Sequence, residues 1–169
     1  KTLVHFNGDG FDIPFLLKRC KHFNLPYSFD NVASFDIYKK VKPYRNLLGL
    51  DSLKQKSIEQ FLEISRTDKY NGGQLIEVYK DYLMTHEEGL YDLLILHNED
   101  DLKGMPSILP ILNYPDLLEH AFTLKEQQIV DESLADGQIR HLLKLTCQSP
   151  YSIPVPVQAA MPPARCRIE

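Results

Sequence analysis

The sequence predicts an α/β domain. Three features predict it: two strand-like runs bracket a helical one, a series of helical segments follows, and past Pro115 the pattern turns strand-like. Leu3–Phe6 is mostly apolar and ends at Asn7-Gly8, so it reads as a buried strand running into a turn. Ile13, Leu16, Leu17 and Cys20 then recur at helical spacing, with Lys18, Arg19, Lys21 and His22 on the other face, and Leu25-Pro26 closes that helix. Val32–Tyr38 offers a second strand. Gly49–Ser52 breaks the chain, and Ser52 with Gln55 has capping-box spacing ahead of a helix with Leu53, Ile58, Phe61 and Leu62. Asn71-Gly72-Gly73 separates it from a helix carrying Leu75, Ile76, Tyr79 and Leu83 on one side. Thr85 with Glu88 forms a further capping box, opening the segment with Leu90, Leu93, Leu94 and His97. Phe122–Ile129 and Gln138–Thr146 look like strands, split by the hairpin signal Asp136-Gly137. From Ser149, five prolines in twenty-one residues and no period predict an extended linker or frayed end. The expected organisation is a main domain over 1–114, a β-rich extension over 115–148 and a Pro-rich tail over 149–169.

Composition narrows the function classes. A chain of 169 residues, 43% hydrophobic and 25% charged, is long enough for one domain with a sizeable core. No apolar run approaches the roughly 18–20 residues of a membrane span, and Lys1 leads into Thr2-Leu3-Val4-His5-Phe6 without a signal-peptide pattern. The chain does not start with Met, which fits a processed product or a fragment. Cys20, Cys147 and Cys166 are odd in number, far apart and without CxxC spacing. That argues against a cysteine zinc site or a disulfide scaffold and fits a reducing cytoplasm. A net charge of −4 speaks against a broad basic surface. Lys39, Lys40, Lys42, Arg45, Lys54 and Lys56 nevertheless face a single acid, Asp51, and read equally as a solvated face or a phosphate-contacting stripe.

Two constellations can carry chemistry. In the first, a strand ends at Asn7, a glycine-bearing turn follows, and Phe11-Asp12-Ile13-Pro14 opens a helix. Asp12 therefore lies near the carboxyl end of a strand, where open α/β sheets form their ligand crevices, and a carboxylate there can bind a hard cation. Asp before Ile-Pro is also a good N-cap, and alone the motif reads as one. The second is His97-Asn98-Glu99-Asp100-Asp101. On a helix His97 and Asp101 share a face, so an imidazole that moves protons near neutral pH can serve one site with a metal-binding carboxylate. Alone, this too reads as a polar helix face.

Taken together, Asn7-x3-Phe11-Asp12 and His97-x3-Asp101 resemble the second and third motifs of DEDD 3′-5′ exonucleases. Between them lie Phe35-Asp36-Ile37-Tyr38, Ser52-Leu53-Lys54 with Glu59, and Gly72-Gly73 with Ile76 and Tyr79. This ordered series, with His97-Asn98-x2-Asp101-Leu102, is similar to the YprB-like RNase-H-like exonuclease family over about Thr2 to Leu112. The resemblance implies an RNase-H-like mixed sheet flanked by helices. It also implies two Mg²⁺ or Mn²⁺ ions, about 4 Å apart, acting on a phosphodiester at the 3′ end of DNA or RNA. It makes Asp12 and Asp101 metal ligands, His97 the group that orients or deprotonates water, and Asn7 and Phe11 the residues that position a terminal nucleotide. DEDD enzymes take two further carboxylates from an Asp-x-Glu on the first strand, and no Asp-x-Glu precedes Asp12 here. The expectation is therefore a domain truncated before its first motif, inactive alone and with an exposed apolar strand edge. Asp36 is a tempting substitute ligand, but the matching family position looks structural. The rival reading is a catalytically incomplete module that binds nucleic acid or a protein partner.

Overall fold

The computed structural model describes residues 1–65, 70, 72–161 and 164–169. Strand β1 (Thr2–His5) pairs in parallel with β2 (Ala33–Asp36), and helix α1 (Asp12–His22) lies in the connection between them. This is the expected strand–helix–strand crossover. The register sets Thr2 beside Ala33 and His5 beside Asp36, so both strands end at one level. The second strand is shorter than the sequence suggests. Ile37 and Tyr38 do not extend it but open helix α2 (Ile37–Val41), which buries Ile37 and Val41 completely.

The described strands form three two-stranded sheets rather than one mixed sheet. The second is the predicted hairpin, β3 (Thr123–Ser133) against β4 (Ile139–Gln148), where Gly137 adopts the positive φ of 81° that its turn requires. The third replaces the predicted tail: β5 (Val157–Met161) pairs antiparallel with β6 (Ala164–Ile168). Pro162 and Pro163 of that tail lie outside the described residues.

Four more helices complete the chain: α3 (Gln55–Phe61), α4 (Gly72–Thr85), α5 (Glu88–Ser107) and α6 (Asn113–Glu119). Neither predicted capping box forms. Ser52 Oγ sits 2.6 Å from Ser57 Oγ, and Lys54 occupies the cap position of α3. Thr85 is the last residue of α4, its hydroxyl donating back to the Asp81 carbonyl at 3.0 Å, so α5 starts after Glu87 instead. The Thr85 hydroxyl also accepts the Glu87 N–H at 3.3 Å, but Glu87 lies ahead of α5 rather than in its first turn. Of the predicted separator, Asn71 lies outside the described residues, while Gly72 and Gly73 form the start of α4. On that helix Leu75 is buried, but Ile76, Tyr79 and Leu83 are each more than half exposed.

The core gathers around α2, α3, the residues after α5, and α6. Ile37, Val41, Ile58, Ile108, Ile111 and Tyr114 are fully buried there, and Val157 of β5 joins them. Burying each aliphatic side chain stabilises the fold by about 1.5–3 kcal/mol. Tyr114 also fixes the C-terminal segment: its hydroxyl donates to the Val155 carbonyl at 2.6 Å and accepts the Val155 N–H at 3.0 Å. Asn113 Nδ2 donates to the Ser152 carbonyl beside it. These contacts join residues about forty apart, and no local sequence pattern announces them. Among the described residues, no helix is long and apolar enough to cross a membrane, and all three cysteines are free.

Candidate metal and nucleic-acid site

The carboxyl ends of β1 and β2 organise the site. Past His5 the chain turns at Asn7, whose φ of 57° is one that Asn tolerates better than most residues. The turn is held from below, because the Asn7 backbone N–H donates to Asp36 Oδ1 at 2.8 Å. Gly10 N–H closes it onto the Asn7 carbonyl at 3.1 Å. Gly10 packs against Asn7, and a Cβ there would lie 2.9 Å from Asn7 Oδ1 and push that exposed side chain aside.

Phe11 takes the cap position of α1 and Asp12 its first turn, with no side-chain cap hydrogen bond. The capping role that the local sequence offered Asp12 is therefore not used, and the carboxylate is exposed. Pro14 is tolerated because a first-turn N–H has no partner within the helix. Phe11 is 67% exposed and lies parallel to Phe15, ring centroids 6.4 Å apart, which leaves an aromatic face open to solvent.

His97 and Asp101 share a face of α5 as the spacing predicts, with Nε2 3.4 Å from Asp101 Oδ2. The helix is tied to α3 at this level: Gln55 Nε2 donates to the Asp101 carbonyl and to Glu59 Oε1, both at 2.9 Å. Gly104 permits the approach, because a Cβ at that position would run into the carboxylate of buried Glu59 and stand 3.1 Å from Gln55 Nε2. Gln55 also lines a cleft of about 440 Å³ with Phe6, Asn7, Tyr38, Leu53 and Lys54. One residue thus lines the cleft that Asn7 also lines and holds the backbone of Asp101.

The group of three or more metal-ligating side chains that converges among the described residues is a different one. His5, Asp9 and Asp36 each place one ligand atom within 4.8 Å of the other two, and could hold a metal ion. None of Asp12, His97 and Asp101 belongs to it. Sequence reading passed over His5 and Asp9 and set Asp36 aside as structural; the signal available was His5-x3-Asp9 at a strand end. Asp36 is buried and does support the Asn7 turn. Asp9 accepts from Ser34 Oγ and from Lys39 Nζ, each at 2.6 Å. The Lys39 ammonium, and after it the Ser34 hydroxyl, hold the Asp9 carboxyl below its usual range, and the same contact raises Lys39.

The basic stripe is partly spent on structure. Lys39 pairs with Asp9, Lys42 sits over the Tyr38 ring, and Arg45 donates to the carbonyls of Leu50 and Asp51. Lys54 faces the cleft.

Comparison with curated proteins and with solved structures found no match. A family profile described as the RNase H superfamily matches residues 1–113. That span includes the β1–α1–β2 crossover, the Asn7 turn and the helix bearing His97 and Asp101. The chain belongs to the RNase H superfamily.

Proposed function

We propose that this chain carries the second and third motifs of a metal-dependent 3′-5′ exonuclease that releases nucleoside monophosphates from single-stranded or 3′-ended nucleic acid. The observation that carries the reading is Gln55. It lines the cleft beside Asn7 and holds the Asp101 carbonyl, so α3 links the turn of one motif to the helix of the other. Superfamily membership over residues 1–113 supports it.

Asp12 and Asp101 offer solvent-accessible carboxylate oxygens, a donor type that suits Mg²⁺ or Mn²⁺. Two such ions would supply positive charge to the phosphodiester and its leaving oxygen. The other roles fall to the chain itself. His97 takes the proton of the attacking water at Nε2, and the Asp101 carboxylate 3.4 Å away stabilises the imidazolium. Phe11 presents its open face to the terminal base. Asn7 fixes the sugar-phosphate end beside the cleft, and Lys54 faces the same space.

The test is a Mn²⁺-dependent assay on a 5′-labelled oligonucleotide. Expected is no shortening by this chain alone and stepwise shortening from the 3′ end by a version extended to carry an Asp-x-Glu strand, abolished there by Asp12→Asn or Asp101→Asn and slowed about 10²–10⁴-fold by His97→Ala. Shortening indifferent to both aspartate substitutions overturns the assignment. A second reading rests on the carboxylate count, since only two of the four of a DEDD site are identified in this sequence. It makes the chain a catalytically incomplete module, and oligonucleotide binding without any shortening by either version would establish that instead.

A further inference from the structure

The cluster at the ends of β1 and β2 contains an unsatisfied group that the nuclease reading does not use. The Asp36 side chain is 2% exposed. Its Oδ1 accepts the Asn7 N–H, but its Oδ2 is buried and has no hydrogen-bond partner. A buried carboxylate oxygen in that state is costly unless positive charge faces it. The nearest candidate is His5, with Nδ1 at 3.8 Å. That nitrogen already accepts the Gly8 N–H at 3.0 Å, while Nε2 lies 2.9 Å from Ser34 Oγ, whose proton goes to Asp9. The network assigns the ring proton to Nε2. The Nδ1 lone pair is taken by the Gly8 N–H, so the imidazole offers Asp36 Oδ2 neither a proton nor a charge, and among the described residues nothing positive closes on that buried oxygen.

We propose that His5, Asp9 and Asp36 form a binding site for a divalent transition-metal ion, zinc the best fit, distinct from Asp12 and Asp101. One imidazole nitrogen and two carboxylate oxygens form a usual zinc ligand set that leaves a position for water. Ligand atoms about 2.1 Å from a tetrahedral ion lie about 3.4 Å apart. His5 Nε2 stands 3.4 Å from Asp9 Oδ1, His5 Nδ1 stands 3.8 Å from Asp36 Oδ2, and one ligand atom of each residue lies within 4.8 Å of the other two, so a shift of about 1–1.5 Å, with the ligating nitrogen leaving its Ser34 or Gly8 partner, closes the set. The frame is rigid where it matters: His5 and Asp36 are register partners in the β1–β2 pair, and the Asn7 turn returns Asp9 to them. Lys39 Nζ now occupies Asp9 Oδ2 at 2.6 Å, but its side chain is 61% exposed and can swing into solvent when an ion arrives. Binding at Oδ1 displaces the Ser34 hydroxyl donor, while the Lys39 ammonium on Oδ2 competes for the charge of the same carboxylate.

The experiment is calorimetric titration of the whole chain with Zn²⁺ alone, repeated with Co²⁺ to read imidazole ligation in its visible absorption. Expected is one ion per chain, with affinity reduced at least about tenfold in His5→Gln and in Asp36→Asn. Because Asp36→Asn also disturbs the Asn7 turn, Asp9→Asn is the second variant, and the same loss is expected there. Lys39→Met should tighten binding several-fold by removing the competing ammonium. A double Asp12→Asn, Asp101→Asn variant should bind zinc as the parent does, which separates this site from the nuclease assignment. Absence of zinc binding, affinity indifferent to His5→Gln and Asp9→Asn, or Lys39→Met leaving affinity unchanged or weakened overturns the proposal.

Discussion

Around Tyr114 apolar side chains from four parts of the chain exclude water, whereas α1 buries none of its residues although its apolar spacing is just as regular. Phe11, Phe15, Leu16 and Phe23 each keep about half or more of their surface in solvent, and Val4 of the adjoining strand does the same. Periodicity marks which face of a helix can be buried; it does not say that something buries it. The Tyr114 region holds because α6, α3 and β5 converge on it, while β1 has β2 as its strand partner among the described residues and α1 rests on little. A contiguous apolar face of this kind is uncommon on a monomer surface.

The comparison breaks most readily at its strong end. Tyr114→Ala should cost about 3–5 kcal/mol, a large share of a typical domain's stability, read as a lowered urea midpoint. Tyr114→Phe isolates the hydroxyl. It leaves Val155 unsatisfied and should cost about 1–3 kcal/mol, with the C-terminal hairpin losing amide protection first. Gly104→Ala tests the α3–α5 contact. The added methyl meets Glu59 and Gln55, so a loss of about 1–3 kcal/mol is expected, and Gln55 should release the Asp101 carbonyl. At the weak end, Phe15→Ser should change stability by no more than about 0.5 kcal/mol while reducing self-association in sedimentation. A loss as large as that of Tyr114→Ala would mean that α1 is buried in solution and would erase the contrast.

The smallest effect concerns Glu132, where the two hairpins meet. Arg140 of β4, and then Arg165 of β6, hold its carboxyl below the ordinary 4.5. A depressed value means that the pairing contributes fully above 4.5 and is lost as pH falls through the lower folded value. The Glu132 carboxyl carbon followed by NMR should titrate below 4.5 and return toward it in Arg140→Gln, an exposed pair of little consequence for stability.

Sequence reading succeeded where structure is decided locally. The strand at Leu3–Phe6, the helix after Asp12 and the Asp136-Gly137 hairpin all follow from residues within a few positions of one another. The His97–Asp101 face was legible for the same reason. Capping spacing failed because an i, i+3 pair arises easily by chance, and α3 and α5 begin two residues later than the pairs implied, after Lys54 and Glu87. The C-terminal hairpin was missed because its prolines argued for a linker, while its anchor, Tyr114 to Val155, spans 41 residues. His5 and Asp9 escaped notice and Asp36 was set aside, because the strand register is what brings Asp36 to the other two.

The Tyr114–Val155 clasp also sets an order of events. A chain emerging from the ribosome can form α2, α3 and α5 early, yet the pocket around Tyr114 lacks its lid until Val155 and Val157 have been made. Ends forty residues apart must then be brought together, at a loop-closure cost of about 3 kcal/mol before any contact repays it. In that interval the apolar wall of Ile108, Ile111 and Tyr114 faces water, in addition to the uncovered side chains of α1. This is the window in which a nascent chain has most need of a holding chaperone.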